Sequence, residues 1–350
     1  MSATVDTRQE TAGKPPRISS RRLTERVFRV RESGIIVVLI VFVAITVSIE
    51  PRFASQQEVQ FILANTTIFA LLALGETMVI VSRNVDLSIG SVVGLSAYVS
   101  ASLFGKIHGI PILVVFLVGL GIGLAVGVAN GLMVAIGRVP SLVVTLATLY
   151  IVRGLDILIV GGNEVVAQTL PNAFIQIPRA GVYGVPYLAI VIAVVIGVGA
   201  YYLRSYRSGR ELYAIGSNPE AARLAGIPVA RRVFTAFAVS GAIAGVAGVL
   251  WAAQYQTIDS TAGTGYELQV IAAVVVGGVA IFGGSGSAVG AAIGALLLNT
   301  INSALYVLGI SPFWDQAIAG FLLLVAIALD RLISVRLATA LRRRSYGVGT

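Results

Sequence analysis

Apolar windows of about 16 to 25 residues recur from residue 33 almost to the end of the chain, separated by short polar or glycine-containing turns. They fall near 33–49, 59–82, 86–104, 110–136, 140–160, 185–203, 233–253, 268–282, 287–308 and 313–329. Most are long enough for a helix to cross the hydrocarbon core of a bilayer, while the third and eighth are weak enough to be broken or re-entrant. The expected fold class is therefore all-α integral membrane, with about ten transmembrane helices. Composition agrees: 57% of residues are hydrophobic and only 12% charged, against roughly a quarter charged in soluble domains.

Charge placement sets the expected orientation. With the N-terminus inside, 21 of the 25 lysines and arginines fall on the cytoplasmic side. They lie in the 1–32 tail, at Arg83 and Arg138, in the 204–232 loop and after Asp330. Arg52, Lys106 and Arg179 are outside, and Arg153 lies within a span. That asymmetry predicts both termini cytoplasmic and hence an even number of spans. The net charge of +9 does not indicate nucleic acid, because the arginines flank apolar spans instead of interleaving with aromatics on one face. Residues 1–32 read as a basic cytoplasmic tail, 33–330 as the transmembrane domain with a coupling loop at 204–232, and 331–350 as a basic C-terminal tail. The N-terminal tail is too long and interrupted for a signal peptide, so the first span is retained.

An internal echo supports the count. Asn130, Gly137 and Pro140 recur 172 residues later as Asn302, Gly309 and Pro312, with identical spacing. Five spans separate the copies, which reverses direction and predicts two inverted five-helix halves.

The one sizeable polar segment within the body is Arg204 to Arg232. Its centre predicts a short helix over 219–225. Asn218 supplies an N-cap oxygen, Pro219 suits the first position, and Glu220 faces the positive end of the helix dipole. Gly226 offers a left-handed stop and Pro228 blocks continuation. So short a helix must be held at its ends or docked. Glu220-Ala221-Ala222, three residues, then Gly226 resembles the EAA-x3-G loop of ABC importer permeases, although the Ile-x-Leu-Pro continuation of the longer motif is missing. An ordinary capped surface helix is the alternative.

Asp86-Leu87-Ser88, then Gly90-Ser91, resembles the turn between the second and third spans of sugar-type ABC permeases, and Arg83-Asn84 before it is similar to the autoinducer-2 branch. On physical grounds Asp86 or Ser88 caps the next helix; a gating role for Asp86 is the other reading. Thr264 to Leu268, Gly277-Gly278, Phe282 to Ser287 and the run Tyr213-Ala214-x-Gly216-x-Asn218 look like the same family. The resemblance covers nearly everything after residue 60. It implies the permease subunit of a ribose, rhamnose or autoinducer-2 (sugar-type) ABC importer in the bacterial cytoplasmic membrane. It also implies a second permease copy or homologue, an extracytoplasmic sugar-binding protein, and a partner ATPase that carries ATP and Mg. Asn218, Glu220, Ala221, Ala222 and Gly226 would then couple to that ATPase, with the arginines around the helix meeting carboxylates.

No phosphate-binding Gly-x-x-x-x-Gly-Lys-Ser/Thr loop occurs, and Gly284-x-Gly286 reads as a close turn between spans. The absence of cysteine and the single histidine, His108, leave no metal site, and no catalytic set is expected. Ionisable residues within spans are Glu76, Arg153 and Asp156, each needing a partner or a wet cavity. Arg153 and Asp156 are three apart on one helix face, which predicts an ion pair. Asn65, Thr66, Asp86, Asn130, Thr145, Thr148, Asn299 and Asn302 are candidates to line a solute path, with interhelical hydrogen bonding as the competing role. The 161–184 loop is the candidate contact for the binding protein. An ion-coupled secondary transporter is the alternative function, and a membrane enzyme ranks last.

Overall fold

The computed structural model describes residues 20–311 and 313–328; Pro312, residues 1–19 and the C-terminal tail lie outside it. Helices occupy every apolar run: α1 (Ser20–Ile49), α2 (Gln56–Val81), α3 (Ile89–Lys106), α4 (Ile112–Gly131), α5 (Ser141–Val160) and the short α6 (Asn172–Ile175). After these come α7 (Tyr187–Ser205), α8 (Arg207–Ser217), α9 (Pro219–Leu224), α10 (Val229–Tyr255), α11 (Tyr266–Val276), α12 (Ala288–Val307) and α13 (Trp314–Ala328). By length and composition six described helices can cross a membrane: α2, α4 with its π-helical extension to Ile136, α5, α7, α10 and α12. α1 continues N-terminally of its apolar run to Ser20, so the segment expected to be a tail is in part helical. The expected eighth span is shortened most. Its helix ends at Val276, where Gly277-Gly278 lets the backbone turn and Gly278 takes φ +98°.

α2 is the axis of the bundle. Along its most apolar stretch 94% is buried, against 22% for α4 and 17% for α7. The reason is compositional: apolar residues lie on every side of it, its Thr67 and Thr77 turn their hydroxyls back onto the carbonyls of Ala64 and Ala73, and its buried Asn65 and Glu76 are bonded to Gln254 and to the Asp86 N–H. α4 and α10 make the closest helix pair. Gly119, Gly123 and Gly127 of α4 face Gly241 and Gly245 of α10, and a methyl group built at Gly123 would lie 2.1 Å from the Gly241 carbonyl oxygen. Small residues every fourth position let two backbones touch, the usual way helices associate without a hydrophobic drive.

Sliding the sequence by 172 residues lays α2 over α10, α3 over α11, α4 over α12 and α5 over α13. The packing is exchanged between these sets: α4 lies along α10, and α2 along α12. Each set thus packs its first helix against the third helix of the other.

Between α5 and α7 the loop is ordered by backbone pairing. Val165 bridges Ile258, and residues 181–182 pair with 185–186 in a hairpin whose turn residues Tyr183 and Gly184 both have positive φ, as a two-residue primed turn requires.

Candidate functional site

Local chemistry builds α9 before any packing is considered. The Asn218 side-chain oxygen accepts from the backbone N–H groups of Glu220 and Ala221 at 3.1 and 3.0 Å, and Pro219 opens the helix. At the other end the Gly226 N–H donates to the Arg223 carbonyl and the Ile227 N–H to the Ala222 carbonyl, with Gly226 at φ +76°. That is a Schellman stop, and both ends of a six-residue helix are thereby satisfied. Ala222 is its buried anchor. Glu220, Ala221, Arg223 and Ala225 are exposed, and Leu224 is 91% exposed.

The mount beneath α9 is rigid. At Gly216, near the end of α8, an added methyl group would lie 1.9 Å from the Val81 carbonyl and 2.4 Å from the Gly284 nitrogen. The Gly284 N–H itself donates to the Val81 carbonyl at 3.0 Å. The end of α2, the end of α8 and the α11–α12 turn are therefore in direct backbone contact. Tyr213 strengthens the joint, donating to the Gly286 carbonyl at 3.1 Å, and burial pushes its hydroxyl up to about 12. Glu211 clamps the other side: Arg207 Nε and Arg232 Nε lie 2.8 and 2.5 Å from its two oxygens. The hydrogen bond from Arg232, then that from Arg207, holds the Glu211 carboxyl below its ordinary value against the opposing effect of burial. The Arg207–Glu211 spacing of four was readable in the sequence; the tie to Arg232 was not.

A second cluster centres on the α2–α3 turn. Glu76 Oε1 accepts from the Asp86 N–H at 3.1 Å, and Asp86 Oδ1 accepts from both the N–H and the hydroxyl of Ser88. Asn130 Nδ2 donates to Ser88 Oγ at 2.9 Å, and Asn130 Oδ1 lies 2.7 Å from Thr148 Oγ1. Thr145 Oγ1 is 3.2 Å from the Val85 carbonyl, and Ser141 Oγ accepts from the Val85 N–H. Glu76, Asp86, Ser88, Asn130, Thr145 and Thr148 are all buried. The expected cap differs in detail: Ser88 precedes α3 without capping it, because its hydroxyl is committed to Asp86 and Asn130.

The remaining sequence candidates lie apart from this cluster. Asn65 accepts from Gln254 of α10 at 3.4 Å, and the Thr66 hydroxyl has no partner. Asn299 donates to its own helix at the Ala295 carbonyl, whereas the Asn302 oxygen is unpartnered. Those two border a narrow cleft with Phe69, Gln269 and Asp315, where Gln269 donates to Asp315. The eight polar residues thus form separate groups, not one file. Arg153 Nη1 lies 3.4 Å from Asp156 Oδ2 and also donates to the carbonyls of Ala262 (2.7 Å) and Ser260 (3.2 Å). The pair therefore also pins the irregular segment before α11. Asn302 lies within α12 and Gly309, at φ +68°, follows its end, while Pro312 is outside the described residues. No group of three metal-ligating side chains occurs among the described residues.

Comparison with known proteins gives a family match over residues 59–327 to the branched-chain amino acid transport system / permease component family. The chain is 34% identical over 300 residues to the autoinducer 2 import system permease protein LsrC of Enterobacter sp. (strain 638), covering 86% of each. It is 35% identical over 302 residues to the ribose import permease protein RbsC of Haemophilus influenzae, covering 86% of this chain and 93% of that one. With RbsC of Escherichia coli (strain K12) the identity is 34% over 317 residues, covering 89% and 97%. No solved structure matches the chain.

Proposed function

The chain belongs to the permease-component family of branched-chain amino acid transport systems, and from that premise we propose that it is the transmembrane subunit of an ATP-driven ABC importer for a sugar-like solute. It is a transport component and not an enzyme; ATP and Mg belong to a separate partner ATPase. Relatives named for ribose and for autoinducer 2 support a small polyhydroxylated cargo, such as a pentose, a deoxyhexose or autoinducer 2 itself.

The observation that carries this reading is α9, a short helix capped at both ends that presents an almost fully exposed leucine and two small alanines. Such a surface fits a groove on a partner, and the importer reading supplies one. Asn218 and Gly226 fix the helix, Ala222 anchors it, and Glu220 and Ala221 face the ATPase. Because Gly216 leaves no slack against Val81 and Gly284, a push on α9 is delivered to the end of α2 and to the α11–α12 turn together.

In this reading ten helices cross the bacterial cytoplasmic membrane as two halves of opposite sense, with both termini inside. The 172-residue correspondence of helices, their exchanged packing and the arginine distribution support it. A second permease copy or a homologue completes a pathway at the subunit interface. Asn65, Thr66, Asn299 and Asn302 then line the path, while Asp86, Asn130, Thr145 and Thr148 hold its walls, their hydrogen-bonding groups being largely committed to one another. A sugar-binding protein delivers the solute to the 161–184 loop, where Tyr183 is 96% exposed.

The test is copurification with candidate ATPases, followed by uptake in proteoliposomes. Uptake is expected only when ATPase and binding protein are both present. Replacing Ala221 by Trp and Leu224 by Asp should abolish the association while leaving a monodisperse membrane protein. Gradient-driven uptake by this chain alone would overturn the proposal.

A further inference from the structure

Beside α9 a cavity of about 790 Å³ opens between the α2–α3 turn, the α4–α5 turn and the start of α10. Four of its lining residues are arginines: Arg83, Arg138, Arg223 and Arg231. No carboxylate lines it. All four side chains are exposed, and among the described residues none makes a salt bridge or a side-chain hydrogen bond. The contrast lies close by, where Arg207 and Arg232 share Glu211. This part of the chain neutralises arginine where neutralisation is wanted, and it leaves the hollow uncompensated.

The backbone adds a second observation. Arg83 and Arg138 stand at φ +68° and +57°, a conformation that residues other than glycine adopt rarely. At the second position Gly137 is adjacent, yet the arginine carries the left-handed turn. Both turns thus present a guanidinium at the rim of one hollow. The third observation is the apolar border. Ile136 and Val139 line the hollow and are exposed, and the exposed apolar face of α5 continues from them through Leu142 and Val143. A charged pocket therefore opens directly onto a surface suited to hydrocarbon.

We propose that this hollow binds a phosphate group, supplied by the headgroup of an anionic phospholipid whose acyl chains run along Ile136, Val139 and the α5 face. Guanidinium forks match phosphate oxygens in pairs, and basic pockets between membrane helices are suited to anionic headgroups. A free inorganic anion would use the arginines but leave the apolar border without purpose. An acidic protein segment would likewise need no hydrocarbon face. The inference does not depend on the solute or on the energy source of transport.

The experiment uses the purified full chain in detergent with phosphatidylglycerol, with phosphatidylcholine, or with inorganic phosphate, read by native mass spectrometry. The variant Arg138→Gln/Arg231→Gln should lose phosphatidylglycerol retention by roughly tenfold or more, since each interfacial arginine contributes appreciably to anionic lipid binding. The control Arg204→Gln/Arg210→Gln, outside the hollow, should retain the lipid as the wild type does. If the double variant does not fold, Arg231→Gln alone, an exposed site in the first turn of α10, should show a smaller loss in the same direction. Binding of inorganic phosphate without retention of phosphatidylglycerol would keep the phosphate site and overturn the lipid source. Equal retention by hollow and control variants, or equal retention of phosphatidylcholine, overturns the site. So does loss of ATPase association with lipid retention unchanged, which would make the hollow a protein-docking surface.

Discussion

Asn130 joins the α2–α3 turn to α5 through a single side chain, and its truncation separates a wall-holding role from a solute-lining one. The residue is fully buried, with Ser88 Oγ at 2.9 Å and Thr148 Oγ1 at 2.7 Å. In Asn130→Ala both contacts go, yet neither partner is orphaned: Ser88 keeps Asp86 Oδ1 at 2.6 Å, and Thr148 keeps the Val144 carbonyl at 2.9 Å. The loss is therefore two interhelical bonds and a small void, without an uncompensated polar group. Such bonds in membrane proteins average about 0.6 kcal/mol and reach about 1.7, so the pair with its void should contribute roughly 1–3 kcal/mol. Unfolding titrations in mixed micelles would read this as a lowered midpoint. A double-mutant cycle with Thr148→Val should return a coupling of about 0.6–1.7 kcal/mol. A solute-lining role predicts the opposite pattern, with stability unchanged and uptake reduced. An unaltered midpoint with no coupling to Thr148 would show that Asn130 does not fasten the α2–α3 turn to α5.

Gly123→Leu should abolish folded yield in size-exclusion chromatography, because even its Cβ would lie 2.1 Å from the Gly241 carbonyl, whereas Gly121→Leu, with nothing within 4 Å of the new Cβ, should fold normally. Asn218→Ala should weaken α9 by about 1 kcal/mol and speed hydrogen exchange at the Glu220 and Ala221 amides roughly fivefold, while Asn218→Asp should leave both near wild type. Glu211 makes the loop pH-sensitive. Its folded-state carboxyl is held below the unfolded value, so its stabilising contribution is present above about pH 4.3 and is lost as the pH falls through the folded value. Protection of the α8–α10 segment should accordingly fall on acidification in the wild type and start lower, with a flatter profile, in Glu211→Gln; identical profiles would remove Glu211 from the account.

The helices and α9 were legible because their causes are local. Apolar run length marks a helix, and Asn218, Pro219 and Gly226 each act on the nearest turn of backbone. The same holds for Arg153 and Asp156, whose spacing alone puts them on one face. What could not be read involves partners far apart in the chain or acceptors without side-chain identity. Asp86 meets Glu76 because the chain reverses between them at a left-handed arginine, where no glycine signals a turn. The Arg153 nitrogen that meets Asp156 also donates to two main-chain carbonyls more than a hundred residues away, which any residue type could supply. Asn130 and Asn302 look alike in sequence and occupy corresponding helices, yet one is bonded on both sides and the other has an unpartnered oxygen.

That last difference bears on how corresponding helices come to use the same residue type differently. Corresponding helices carry the same amide, and the surroundings decide whether it is bonded on both sides or left with a free oxygen. Around Asn130 the Ser88 and Thr148 hydroxyls consume both ends, and the joint is closed. Around Asn302 the neighbouring Gln269 and Asp315 bond to each other, so the Asn302 oxygen remains free beside a narrow cleft. If the two halves move against one another as rigid units, the fastened half resists and the unfastened one yields. Of the two corresponding amides, only Asn302 would then be available to the solute. Asn302→Ala should accordingly reduce uptake with little loss of stability, the reverse of Asn130→Ala, and matching behaviour of the two variants would show that the asymmetry has no functional weight.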